Sequence, residues 1–195
     1  REILPDNGKA FSSILISLKT RNFRLYFKGM CVSLTGTWMQ QIAMSWLVYR
    51  LTGSVFLLAT VTFMAQIPIL LVTPLMSVFV DRFDRQKILI LTQSLSMVQA
   101  LSMAALTLSG VIEVWHILIL SLLIGCINAL DNPPRQAFYP SLVAKEHLSN
   151  AIALNSAVIN GSRLIGPAVG GVLIGIFGEG LCFLLNGISY LGVII

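Results

Sequence analysis

The 195-residue chain is 56% apolar, only 11% of its residues are charged, and its mean hydropathy is +0.85. A soluble domain carries about a quarter of its residues as charges, so this chain has too few to cover a water-exposed surface around so many apolar side chains. Disordered chains and ordinary water-soluble enzyme domains are excluded, and the position of the cations matters more than their formal sum of +5.

The chain opens on Arg1 and closes inside an apolar run at Leu191–Ile195, so both ends are expected to be cuts in a longer polypeptide. Residues 1–24 lack the continuous apolar stretch and small-residue cleavage site of a secretory signal. Within residues 1–21, Phe11, Ile14, Leu15 and Leu18 recur at helical spacing between Ser and Lys, which predicts a cytoplasmic segment with a short amphipathic helix on the membrane surface. Phe23, Tyr26 and Phe27 then alternate with Arg21, Arg24 and Lys28, the pattern of a helix entering the interface.

From residue 22 to residue 195 the sequence predicts a six-helix transmembrane domain. A bilayer core of ~30 Å needs about 20 apolar residues of helix. Uncharged runs of the required length are Gly29–Tyr49, Leu51–Val80, Ile88–Ile112 and Val114–Leu130. They are followed by His147–Gly178, interrupted only by Arg163, and by Gly180–Ile195, a sixth span that reads as truncated. None shows the alternation of a membrane strand, so the expected class is an all-α polytopic membrane protein. The three cysteines, Cys31, Cys126 and Cys182, fall in apolar runs without metal-ligand spacing and read as small core residues.

Eleven Lys and Arg fall before the first span or in the second-to-third and fourth-to-fifth connections, against Arg50 alone on the other side. This asymmetry predicts a cytoplasmic amino terminus. The outward connections are very short, which leaves no room in this stretch for a large extracellular domain.

Three places could carry chemistry. The segment 77–87 mixes acids and bases, and Asp81, Arg82, Arg85 and Lys87 could exchange ion pairs between helix ends or form a plain basic loop. In the fifth span, Ser162, Gly166 and Gly170 lie four apart on one face, with Gly171 and Gly175 on a neighbouring ridge, a spacing that lets another helix approach closely. Pro167 has no N–H, so the carbonyl of Arg163 loses its helical donor and a kink is expected there. Asp131 and Arg163 are the costly intramembrane charges, at roughly 2.5–3.5 kcal/mol each on insertion scales.

If the fourth helix runs on through Pro133 and Pro134 to Phe138, Asp131 falls in its cytoplasmic third. Counting the rise along each helix puts the depths of Asp131 and Arg163 about 10 Å apart. Either the two pair across adjacent helices, or Asp131 pairs with Arg135 one turn on and Arg163 faces the cavity or the missing half of the polypeptide. Trp38 and Gln41, three apart near the middle of the first span, are the preferred cavity residues from that helix. The remaining intramembrane Gln and Asn are expected to satisfy one another across helices.

The 77–87 segment resembles the major facilitator superfamily motif G-x-x-x-D-R-x-G-R-[RK], matched by Asp81, Arg82 and Arg85, with Ser77 and Asp84 in place of its glycines and Lys87 one position beyond. The resemblance implies a conformational latch. Residues 162–171 are similar to the superfamily's exporter motif G-x-x-x-G-P-x-x-G-G, with Ser162 at its first position. Residues 21–27, 36–40, 131–138 and 150–156 together resemble the transmembrane secretion effector branch.

That resemblance implies the N-terminal half of a twelve-helix transporter, built as two inverted three-helix repeats with the C-terminal half absent. It further implies efflux of small amphipathic or siderophore-like molecules by proton antiport with alternating access, with Asp131, Arg163, Trp38 and Gln41 as candidate coupling or cavity residues. The expected partners are the lipid bilayer, a small-molecule substrate, protons and the missing half, and the expected site is the bacterial inner membrane. A non-transporting scaffold or receptor and an uptake carrier are the alternatives. An intramembrane aspartyl enzyme would need two embedded Asp residues where Asp131 stands alone, and no cofactor, metal or nucleic-acid signature is present.

Overall fold

The computed structural model describes residues 21–79, 84–138 and 142–194. The expected amphipathic helix before residue 21 lies outside the described residues, as do Asp81 and Arg82. Five long helices and a shorter sixth follow one another as α1 (Arg21–Thr52), α2 (Val55–Phe79), α3 (Arg85–Leu108), α4 (Val114–Phe138), α5 (Leu148–Phe177) and α6 (Glu179–Ser189). The last is continued past Tyr190 by the single turn α7 (Leu191–Ile194), and a 3-10 turn at Lys145–His147 precedes α5.

Among the described residues, α3, α4, α5 and the Val55–Leu75 part of α2 are each long and apolar enough to cross a membrane. The 32 residues of α1 would span about 48 Å, but Ser33, Thr35, Thr37, Gln40, Gln41 and Ser45 break its apolar run. Those side chains turn to other helices and to a cavity instead of lipid, so α1 can cross the bilayer without being apolar all round. The opposite surfaces confirm the solvent: Phe56 and Leu164 are 78% and 77% exposed on the outside of the bundle. Such faces suit acyl chains and not water.

The ends of the helices follow from local chemistry. Asp84 caps α3, its carboxylate accepting from the backbone N–H groups of Gln86 and Lys87 at 3.0 and 3.4 Å, where a side-chain oxygen replaces the missing helical acceptor. The position at which the superfamily pattern has a glycine therefore has its own reason to be Asp here. Gly178, with φ of +81°, turns α5 directly into α6 in a conformation that L side chains rarely adopt. Pro133 and Pro134 lie within α4, which continues unbroken to Phe138, and α5 likewise continues through Pro167.

Packing reveals the repeat that is invisible in the sequence. Helix α1 packs against α5 and α6, while α4 packs against α2 and α3, and α3 against α6. Advancing each helix by three turns the α1–α5 contact into α4–α2 and the α1–α6 contact into α4–α3, and maps α3–α6 onto itself. Two inverted three-helix repeats produce this pattern.

Both close contacts of the pattern use a glycine. A Cβ on Gly166 of α5 would lie 2.6 Å from Trp38 Cβ of α1, and one on Gly125 of α4 would lie 2.5 Å from the Ala65 carbonyl of α2. Small residues allow backbones to approach this closely where lipid supplies no hydrophobic drive.

The apolar core fills the half of the bundle nearest Arg50 and Glu179, where Met39, Ala43, Leu47 and Val48 of α1 meet Val61, Met103, Ile117 and Phe183. Beside it lies a buried polar chain. Asn186 donates to Gln40 at 2.7 Å, Gln40 donates to Gln99 at 2.9 Å, and Gln99 donates to the Leu120 carbonyl at 3.2 Å. Four helices are tied by amides that would each be costly if left unpaired in an apolar medium. At that end of the bundle Arg50 grips Glu179 with Nε 2.8 Å from Oε1 and Nη2 3.3 Å from Oε2, joining the end of α1 to the start of α6.

Candidate functional site: a cavity with three charges

The side of the bundle left open by these contacts holds a cavity of about 450 Å³. Its wall is made by residues of α1 to α5 and by Tyr190 just past α6, with α1 and α4 supplying most of it, as the packing requires of the two helices that start each repeat. Trp38, Gln41, Asp131 and Arg163 all line it, and so does Arg135.

Asp131 sits at its edge and is 4% exposed. Arg135, one turn further along α4, donates from Nε to Asp131 Oδ2 at 2.6 Å, and its Nη2 also contacts that oxygen. From α3, Thr92 Oγ1 and Gln93 Nε2 donate to Asp131 Oδ1 at 2.6 and 3.1 Å. Donors from two helices thus converge on both oxygens, the satisfaction that a buried carboxylate requires. The i,i+4 alternative open in the sequence is the arrangement found, and Asp131 does not pair with Arg163.

Arg163 instead lies over the ring of Trp38, its guanidinium carbon 4.9 Å from the ring centroid. The two are brought together by the α1–α5 approach: Ser162, Gly166 and Gly170 form the buried stripe of α5. Ser162 meets Thr35 Oγ1 at 3.3 Å, and Gly166 and Gly170 face Trp38 and Ile42. Gly171 and Gly175 do not extend this contact, because a Cβ at either would meet nothing within 4 Å among the described residues. A shift of one residue rotates a side chain by about 100° around a helix, and this turns both away from α1.

Near the 77–87 segment, Arg85 reaches from the start of α3 to the Ala137 carbonyl of α4 at 3.3 Å, a cation placed on the last carbonyls of a neighbouring helix. Lys87 is held only loosely, 3.9 Å from Asp84, with both side chains exposed.

Sequence reasoning missed Thr92 and Gln93. A Thr-Gln pair in an apolar helix is a weak signal, and only the azimuth of α3 against α4 shows that both point at Asp131. The Oε1 atom of Gln93 is buried and has no hydrogen-bond partner among the described residues. Among the described residues no three His, Cys, Asp or Glu could hold a metal ion.

Comparison with known proteins agrees with this architecture. The chain is 30% identical to the Staphyloferrin A transporter of Staphylococcus aureus, over 86% of this chain and 42% of that protein. It is 27% identical to Macrolide efflux protein A of Streptococcus pyogenes, over 80% of this chain and 39% of that protein. It is 24% identical to Multidrug efflux pump Tap of Mycolicibacterium fortuitum, over 70% of this chain and 35% of that protein. The chain therefore spans about two fifths of the length of the first two of these relatives. No solved structure matches it. The transmembrane secretion effector family matches residues 12–195, and on that match the chain belongs to this family of the major facilitator superfamily, a bacterial membrane protein of a transporter and not an enzyme family.

Proposed function

We propose that the chain is the N-terminal half of a secondary exporter of small amphipathic or siderophore-like molecules, driven by proton antiport through alternating access. The observation that carries the proposal is the Asp131 carboxylate, buried at the wall of a solute-sized cavity and held by Arg135, Thr92 and Gln93. A charge this costly in a bilayer marks an ion or substrate path. The named efflux relatives favour the outward direction.

In this reading the amino terminus is cytoplasmic, the membrane is the bacterial inner membrane, and six further helices close the open side of the cavity. Protonation of Asp131 removes the negative charge that Arg135 grips and turns one acceptor into a donor. The ion pair loosens, α4 shifts against α3, and the proton leaves when solute occupies the other state. Asp81, Arg82, Arg85 and Lys87 act as the cytoplasmic latch, and the hold of Arg85 on the Ala137 carbonyl gives that latch a purchase on the helix that carries Asp131.

The test is efflux by the full-length polypeptide in everted membrane vesicles. Solute accumulation that collapses with the pH gradient supports the proposal. Accumulation that is indifferent to the gradient removes antiport, and absence of any flux with a co-purifying partner protein favours a scaffold.

A further inference from the structure

The cavity wall carries two guanidinium groups and one carboxylate, Arg135, Arg163 and Asp131. The carboxylate is already spent on Arg135, through the 2.6 Å bond from its Nε. Arg163 has no carboxylate within ion-pair distance among the described residues, and its recorded partner is the face of Trp38, 4.9 Å away. A ring face returns less to a cation than a central charge costs on insertion. It also occupies none of the five N–H donors of the guanidinium.

Arg163 therefore sits over Trp38 at the cavity wall, and its N–H groups make no hydrogen bond or ion pair among the described residues. Ser162 and Gly166 on either side of it are pinned against α1, so the backbone that carries the guanidinium is fixed. Carboxylate and guanidinium match as two parallel N–H···O bonds. Amide groups of Gln41 and Asn155 share the wall and can meet further polar groups of a bound solute.

We infer that the solute class is an organic anion, a small molecule whose carboxylate docks on Arg163 while an adjoining planar group packs beside Trp38. The inference rests on the export reading above and adds the sign of charge that the cavity selects.

The test uses the full-length polypeptide purified in detergent and two probes of similar ring size, salicylate and benzyltrimethylammonium, in titration calorimetry. Wild-type protein is expected to bind salicylate at least tenfold more tightly than the cation. Arg163→Gln is expected to weaken salicylate at least tenfold and to erase the preference, whereas Arg163→Lys keeps the preference at lower affinity. Weak or equal binding of salicylate by wild type overturns the inference. Unchanged salicylate binding by Arg163→Gln does so too, since it would mean that an acid elsewhere in the polypeptide neutralises Arg163. Should Arg163→Gln prove aggregated in gel filtration, the wild-type preference and Arg163→Lys decide. Gradient-driven export of the cation without anion preference overturns this inference and leaves export standing, whereas no driven flux of either probe overturns the export reading itself.

Discussion

Asp131 and Arg135 meet one helical turn apart on α4, with Arg135 Nε 2.6 Å from Asp131 Oδ2 and the Asp131 side chain 6% exposed. Removing one member of a buried pair leaves the other charged and unpaired, at a cost of about 3–5 kcal/mol. Asp131→Asn is accordingly expected to lower the thermal midpoint and to abolish gradient-driven efflux. The double variant Asp131→Asn/Arg135→Gln should recover most of the stability and none of the transport. Thermal unfolding in detergent and vesicle efflux on the same preparations check both. Full efflux by Asp131→Asn would clear this carboxyl of any coupling role.

The α1–α5 contact leaves no room at Gly166. Gly166→Val places its Cβ and two methyl groups against Trp38 Cβ and the Thr35 carbonyl, and because that carbonyl is backbone the helices must separate. Overpacking of this kind costs typically 1–3 kcal/mol and should also move Trp38 from under Arg163. Gly171→Ala, on the open side, should leave the thermal midpoint within error in a preparation of residues 1–195. Equal loss by both variants would contradict the assignment of the contact to the 162–166–170 stripe.

The amide chain through Asn186, Gln40 and Gln99 should be cooperative. Asn186→Leu strands Gln40 Oε1 and is expected to cost about 1–3 kcal/mol, while Gln40→Leu/Asn186→Leu should cost less than the sum of the single changes. A double-mutant cycle on unfolding in detergent measures the coupling, for which helix–helix polar contacts in membranes give about 0.6 kcal/mol on average. Strict additivity would show that the two amides are independent.

Orientation has its own test. In a background with Cys31, Cys126 and Cys182 replaced by Ser, Val111→Cys should react with an impermeant maleimide from outside intact cells. Lys87→Cys should react only after the membrane is opened or inverted. The reverse pattern would contradict the cytoplasmic amino terminus that the Lys and Arg asymmetry implies.

Much of the fold was legible because lipid imposes a length and a charge rule on every span. The starts of α3 and α4 and the turn at Gly178 fall within a few residues of the charges that bound the uncharged runs. The cavity was half legible. The sequence places Trp38 and Gln41 mid-span and shows the i,i+4 spacing of Asp131 and Arg135, but the choice between Arg135 and Arg163 depends on the rotation of α4 about its own axis. Thr92 and Gln93 were hidden for the same reason, as was the Asn186–Gln40 bond between residues 146 positions apart. Neither length nor charge rules report azimuth, and the two repeats share packing without sharing recognisable residues.

The most direct measurement of the central claim is simultaneous proton and solute flux by the full-length polypeptide in proteoliposomes, with pyranine inside reporting pH. An imposed solute gradient should drive protons the opposite way across the membrane in wild type, with no proton movement in Asp131→Asn. Solute movement without a counter-flow of protons, or a counter-flow that survives the loss of Asp131, would contradict it.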